Sequence, residues 1–173
     1  MKTLVLVLVF LVILAVGAFA EHPGGWGIGI VGQSDFEWDG FAGYGGAALS
    51  LKVPQLPIFW GISARIKNNY FGINVTGDYY IIDKRLTSGI NFGWYLGISG
   101  YAGFYHVGGD SNYNGLGVGA RVPIGIYIIP VRFFEVFLDV APSLGLGVNF
   151  GGVNGFDLPA GGLGADLGVR FWL

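Results

Sequence analysis

The feature that most constrains this chain is an alternation of period two: apolar residues stand at every second position, with glycine or a polar residue between them, in eight successive segments. Successive residues of a strand point to opposite sides, so this spacing gathers the apolar side chains of each segment on one face. Beyond residue 20 no apolar run is long enough for a spanning helix. The chain therefore reads as all-β.

The alternation starts at Trp26, Ile28 and Ile30, and a polar break at Ser34 to Asp39 follows. The second segment puts Phe41, Ala47, Leu49, Leu51 and Val53 on one face with Gly43 and Gly45, and Pro54-Gln55-Leu56-Pro57 ends it. The third sets Ile58, Trp60, Ile62, Ala64 and Ile66 against Ser63, Arg65 and Lys67, before a tight reversal at Asn68-Asn69, where asparagine tolerates the positive φ of such turns. The fourth alternates Phe71, Ile73, Val75, Tyr79 and Ile81 with Tyr70, Asn74, Thr76, Asp78 and Tyr80, and a turn is expected at Asp83-Lys84-Arg85. The fifth runs from about Leu86 to Tyr105, and Val107 to Asn114 form a polar loop. The sixth is read as unbroken from Leu116 to Ile128, with Pro130 stopping it. The seventh carries Phe134, Val136, Leu138, Val140, Leu144 and Leu146, and a loop from about Asn149 to Asp157 follows. The eighth alternates Leu163, Ala165, Leu167, Val169, Phe171 and Leu173 with Asp166, Arg170 and Trp172.

Residues 1–20 are set apart from this pattern. Lys2, an apolar stretch from Leu4 to Val16 and the small-residue site Ala18-Phe19-Ala20 read as a secretory signal peptide, with cleavage expected after Ala20. The mature part, residues 21–173, has room for one domain. It contains no cysteine, so neither a disulfide framework nor a thiolate metal site is available. Charged residues make up 12% of the chain and the formal net charge is −2, which leaves no basic stripe for nucleic acid.

Alternation alone leaves open which side of a closed sheet is apolar, since a soluble ligand-carrying barrel has the same period. Composition decides. A water-facing shell needs Lys, Glu and Asp at most polar positions, whereas here that phase holds Gly, Ser, Asn and Tyr with few charges. With 33 glycines and 16% aromatics, the chain suits an apolar exterior in contact with lipid. Closure is the way for strands to cross a bilayer, and eight is the smallest common size. The expected fold is an all-β, eight-stranded, antiparallel up-and-down transmembrane β-barrel. The turns at Pro54–Pro57, Asp83–Arg85 and Pro130 would then lie on the periplasmic side.

The charges assigned to the lumen nearly balance: Lys52, Arg65, Arg121 and Arg170 against Asp78, Glu135, Asp139 and Asp166. Buried charge is costly unless paired, so an interior ion-pair network is expected. Tyr44, Tyr70, Tyr80, Tyr95, Tyr101, Tyr127 and Phe137 are available to fill the rest, which predicts no wide pore. Aromatics in the apolar phase fall at two heights. Trp26, Trp60, Tyr79, Phe134 and Phe171 lie near the periplasmic ends, and Phe41, Phe71, Phe104 and Phe150 near the opposite ends, as two girdles at the headgroup layers would require.

The last residues, Asp166-Leu167-Gly168-Val169-Arg170-Phe171-Trp172-Leu173, resemble the C-terminal assembly signal of bacterial outer-membrane barrels. Asp166, Gly168, Phe171 and Leu173 match that pattern, with Leu173 standing where phenylalanine is usual. In its whole organisation the mature chain resembles the eight-stranded barrels typified by the membrane domain of outer membrane protein A. The segments Val122-Pro123-Ile124-Gly125, Phe134-Glu135-Val136-Phe137 and Ala141-Pro142-Ser143-Leu144-Gly145 also resemble small barrels of spirochaetes and similar bacteria. The resemblance implies residence in the outer membrane, outer-membrane lipid and the assembly machinery as partners, and a monomer.

Some small barrels of this kind modify lipid with a histidine near the external rim. His106 is placed for that, beside Asp110 and Ser111, but the spacing secures neither a nucleophile nor an orienting group. His22 falls in an N-terminus expected to fray. The stretches Gly24-Gly25-Trp26-Gly27 and Gly115-Leu116-Gly117-Val118-Gly119 precede no helix and keep the strand alternation, so they are not phosphate loops. Asp35, Glu37, Asp39, Asp110 and Asp157 read as solvated acidic loop residues. The expectation is a structural or surface-binding barrel without catalytic, cofactor or metal site, whose loops would contact an extracellular ligand. A narrow channel for small solutes is the main alternative. A lipid-modifying enzyme and a soluble ligand-binding barrel stand behind it.

Overall fold

In the computed structural model, the structure describes residues 22–37, 43–87, 90–110, 112–152 and 155–173. Its elements are β1 (Gly27–Glu37), β2 (Gly43–Lys52), β3 (Phe59–Lys67), β4 (Tyr70–Arg85), β5 (Phe92–Val107), β6 (Tyr113–Arg121), β7 (Ile124–Val131), β8 (Phe134–Phe150) and β9 (Gly155–Trp172). Apart from β6 and β7, sequence neighbours pair antiparallel, and β1 pairs with β9 to close the sheet. β6 and β7 are halves of one stave, since both lie between β5 and β8. The result is the expected eight-stranded up-and-down antiparallel barrel.

The register shows how it closes. From Gly27 the paired positions are Lys52, Phe59, Asp78, Ser99, Arg121, Ser143 and Gly162, and Gly162 returns to β1 at Glu37. A stagger from Gly27 to Glu37 around eight staves tilts the strands by about 40°.

Alternation then divides the molecule into an outside and an inside of opposite character to a water-soluble protein. Ile30, Ile66 and Leu167 point outward and are 64%, 69% and 60% exposed, whereas Glu135, Tyr95 and Arg170 point inward and are 0%, 0% and 2% exposed. Lumen aromatics fit because they lie over glycines on the next strand. Tyr95 faces Gly125, Tyr127 faces Gly93, Tyr105 faces Gly115 and Phe137 faces Gly168. A Cβ on any of those glycines would come closer than 3.0 Å to the facing ring. The glycines make room for rings in a narrow interior.

Five sequence expectations are corrected. The β4 turn is not at Asp83–Arg85: a bulge between Tyr80 and Ile82 adds one residue, β4 continues to Arg85, and Asp83 turns inward. Consequently β5 begins at Phe92, not near Leu86. The sixth stave is interrupted at Val122-Pro123, because Pro123 has no N–H to give the ladder. Its carbonyl still accepts from Gly97 N–H at 2.8 Å, so the inward–outward phase is kept across the gap. Pro130 does not stop this stave, which runs on to Val131 through a second irregularity after Ile128. Finally, β8 reaches Phe150 and β9 begins at Gly155, so both ends of the expected loop from Asn149 to Asp157 lie in strands.

Candidate functional site

The lumen is the place where this chain concentrates its ionisable groups, and the structure sorts them into three groups along the barrel. Near the end that holds Trp26 and Leu173, Arg170 donates from Nη1 to Glu135 Oε1 at 2.7 Å and from Nε and Nη2 to Ser50 Oγ at 3.2 and 3.1 Å. Its guanidinium also stacks over Phe59 and Phe137, 4.7 and 4.6 Å from their centroids. The indole N–H of Trp172 donates to Glu135 Oε2 at 2.7 Å. A charge this deeply buried is tolerated when its hydrogen-bonding capacity is filled, and Arg170 meets that condition from several strands at once.

The sequence did not place His22 in this group. Instead of fraying, His22 is 7% exposed and enters the lumen from below. Its backbone N–H donates to Asp83 Oδ2 at 2.9 Å, its Nδ1 lies 2.8 Å from the same oxygen, and its Nε2 lies 3.5 Å from Glu135 Oε1. Its ring packs against Tyr127, Phe59, Tyr80, Tyr95 and Trp172, with centroids 4.1 to 6.1 Å away. Burial alone would lower the His22 pKa. The hydrogen bonds and charges of Asp83 and Glu135 outweigh it, and the pKa stands above its ordinary value.

Farther up, Arg121 sits among three carboxylates. Its Nη2 is 3.3 Å from Asp78, 3.3 Å from Asp166 and 3.9 Å from Asp139, while Tyr95 donates its hydroxyl to Asp139 Oδ2 at 2.6 Å. Between this cluster and Arg170 lies a cavity of about 30 Å³ bordered by Ser50, Thr76, Asp78, Asp139 and Asp166, room for about one or two water molecules. The third group is Arg65, whose Nε is 2.7 Å from Asp35 Oδ2.

Against expectation, Asp35 is thus part of β1 and half-buried against Arg65, not a solvated loop acid. Lys52 faces inward but meets no carboxylate among the described residues: it donates to the carbonyls of Val53 and Leu56 at 2.8 and 2.6 Å and lies 5.6 Å from the Phe59 centroid. Asp78, Arg121, Asp139 and Asp166 come together, as do Glu135 and Arg170. Asp83 and His22 were missed. The pattern of period two could have placed Asp83 only if the bulge had been known, and nothing in the alternation reaches a residue ahead of β1.

At the opposite end, His106 Nδ1 lies 3.0 Å from Asn114 Oδ1, not against Asp110, which is exposed. Ser111, Glu37's side chain and Asp39 lie outside the described residues, as do the side chains of Asp157 and Tyr44. Among the described residues no group of three or more His, Asp or Glu side chains is arranged to hold a metal ion. Of the aromatic residues assigned to girdles, Trp26, Phe71, Phe104, Phe150 and Phe171 are exposed on the outward face, and Trp60, Tyr79 and Phe134 are half-exposed on it. Phe41 lies outside the described residues. Asp166 and Gly168 point inward, and Phe171 and Leu173 point outward at the end of β9.

Fold and lumen together define a class: a closed eight-stranded antiparallel barrel with an apolar exterior and an internal ion-pair network. Residues 43–167 match the family described as a protein of unknown function (DUF3996), and the chain belongs to that family. Comparison with curated proteins and with solved structures found no match.

Proposed function

We propose that the mature chain is an integral outer-membrane barrel of the outer membrane protein A type, exported through a cleaved signal peptide at residues 1–20, with a structural or surface-binding role. The observation that carries this reading is the inversion of burial: large apolar side chains cover the outside while Arg170, Glu135 and Asp139 are hidden inside. Leaving a Leu- or Ile-sized side chain in water forfeits about 1.5–3 kcal/mol. Ten of them would match or exceed the ~5–15 kcal/mol net stability of a domain. Hydrocarbon is the solvent that removes this cost.

A structural role is favoured over transport because aromatic rings and the Arg170 and Arg121 clusters occupy the lumen. The reading is of a monomer inserted by the assembly machinery, with the Asp166–Leu173 segment as its signal and an extracellular ligand, if bound, held by loops. No catalysis is assigned: His106 has an amide oxygen, not a carboxylate, as its partner. The test is outer-membrane fractionation combined with heat-dependent migration on an SDS gel. Both are expected, and a freely soluble mature chain would overturn the reading. In planar bilayers the purified protein should show no steady openings; sustained conductance would favour the narrow channel instead.

A further inference from the structure

At the end of the barrel opposite the chain termini, a polar pair interrupts the outward face. The register sets Phe71 of β4, His106 of β5, Asn114 of β6 and Phe150 of β8 side by side in one row. Phe71 and Phe150 point outward and are 41% and 40% exposed, and Phe104, two residues before His106 on the same face, is 39% exposed. His106 and Asn114 are half-exposed between them. Two hydrogen-bonding side chains thus stand within the aromatic girdle of this rim, where the membrane reading brings rings and lipid headgroups together.

His106 Nδ1–H donates to Asn114 Oδ1 at 3.0 Å. That bond fixes both groups, and among the described residues it leaves the imidazole Nε2 and the amide Nδ2 without a partner. Glycines keep those two atoms uncovered: a Cβ on Gly108 would lie 3.7 Å from Nε2, and a Cβ on Gly151 would lie 3.6 Å from Nδ2. A neutral imidazole bonded through Nδ1–H has a lone pair at Nε2, and the amide Nδ2 carries N–H donors, so the pair offers one acceptor beside one donor. Turning the amide over and exchanging the tautomer swaps the two roles and presents the same complement.

We infer that His106 and Asn114 form a headgroup site for a phospholipid whose amine carries an N–H donor beside its phosphate, in the leaflet at the end opposite the chain termini; the inference rests on the membrane reading above. The ammonium of an ethanolamine headgroup would donate to Nε2 while a phosphate oxygen accepts from Nδ2. A choline headgroup brings the same phosphate but no N–H, so it answers one atom of the pair and leaves the other unmatched. A polar atom withdrawn from water without a partner costs free energy, and that cost separates the two lipids. Both headgroups have the same net charge, so the discrimination belongs to hydrogen bonding and not to surface potential.

The test refolds the mature barrel into phosphatidylcholine vesicles containing either brominated phosphatidylethanolamine or brominated phosphatidylcholine. Phe71→Trp, across the β4–β5 ladder from His106, sets a fluorescent reporter at the site, and the quenching it adds over the parent chain isolates that reporter. The ethanolamine lipid is expected to occupy the site about threefold more strongly than the choline lipid, the worth of about one net hydrogen bond. Its N,N-dimethyl form keeps one N–H and should keep the preference, which the third methyl should abolish. Asn114→Leu and His106→Phe, each combined with Phe71→Trp, should lose the preference yet keep heat-dependent migration and quenching by brominated phosphatidylcholine. Equal occupancy by the two lipids, a stepwise fall with each added methyl, or a preference that survives both substitutions would overturn the headgroup site alone. Absence of quenching by either lipid would overturn the membrane reading together with it.

Discussion

Arg170 shows how one side chain is held where charge is expensive. It reaches Glu135, Ser50 and the faces of Phe59 and Phe137, so removing it strands a carboxylate that is 0% exposed. Arg170→Ala should cost about 3–5 kcal/mol, the penalty of breaking a buried pair, read by urea unfolding in lipid vesicles. Arg170→Lys should recover only part of it, because an ammonium cannot span Glu135 and Ser50 as a planar fork does. The inward position of Arg170 was legible from phase alone, and so was that of Glu135. Which partner each charge takes was less so, because partners are set by height in a tilted, staggered barrel. Asp35 meets Arg65 across that stagger, and Lys52 finds carbonyls of its own turn, outcomes that no count of charges along the chain anticipates.

At the scale of strands, the glycines and the bulge divide what substitutions will do. Gly125 faces the Tyr95 ring, whose hydroxyl is fixed by Asp139, so Gly125→Ala should destabilise by about 1–3 kcal/mol through overpacking. Gly100 has open space where a Cβ would go, and Gly100→Ala should lie within about 0.5 kcal/mol of wild type. Equal effects in an unfolding series would mean that ring-over-glycine packing contributes nothing. The bulge yields a sharper contrast. Deleting Ile81 removes the extra residue and keeps Asp83 opposite Tyr95, so the protein should still migrate as a heat-modifiable barrel. Deleting Val75 flips the phase from Thr76 to the bulge and puts Asp78 on the apolar outward face, and that protein should fail to fold. Here lies the boundary of what alternation revealed: eight staves and their facing were readable, while a bulge at Tyr80/Ile82 and a proline gap at Val122-Pro123 change bonding or phase without changing the apolar pattern.

Over the whole molecule, the inserted His22 joins the segment ahead of β1 to β4 through Asp83 and to β8 through Glu135, closing the lower mouth with a group the strands do not supply. Asp83, Glu135, Arg170 and the phenols of Tyr80, Tyr95 and Tyr127 surround it, and the carboxylates favour its protonated form. Because the folded pKa is raised above the ordinary value of 6.5, protonated His22 contributes stability that is present in full below about pH 6.5 and is lost as pH rises through the higher folded value. The segment from His22 to Trp26 should therefore exchange its amide hydrogens slowly at pH 6 and faster, beyond the intrinsic chemical acceleration, as pH approaches 9. His22→Gln keeps a polar group but has no proton to lose, and should show fast exchange at pH 6 with no further pH-linked release. If the wild-type segment is equally protected at both pH values after correction, or if the variant retains the wild-type profile, the carboxylate pair does not grip an imidazolium. The lower mouth would then be closed by ring packing of His22 against Tyr127 and Phe59 alone.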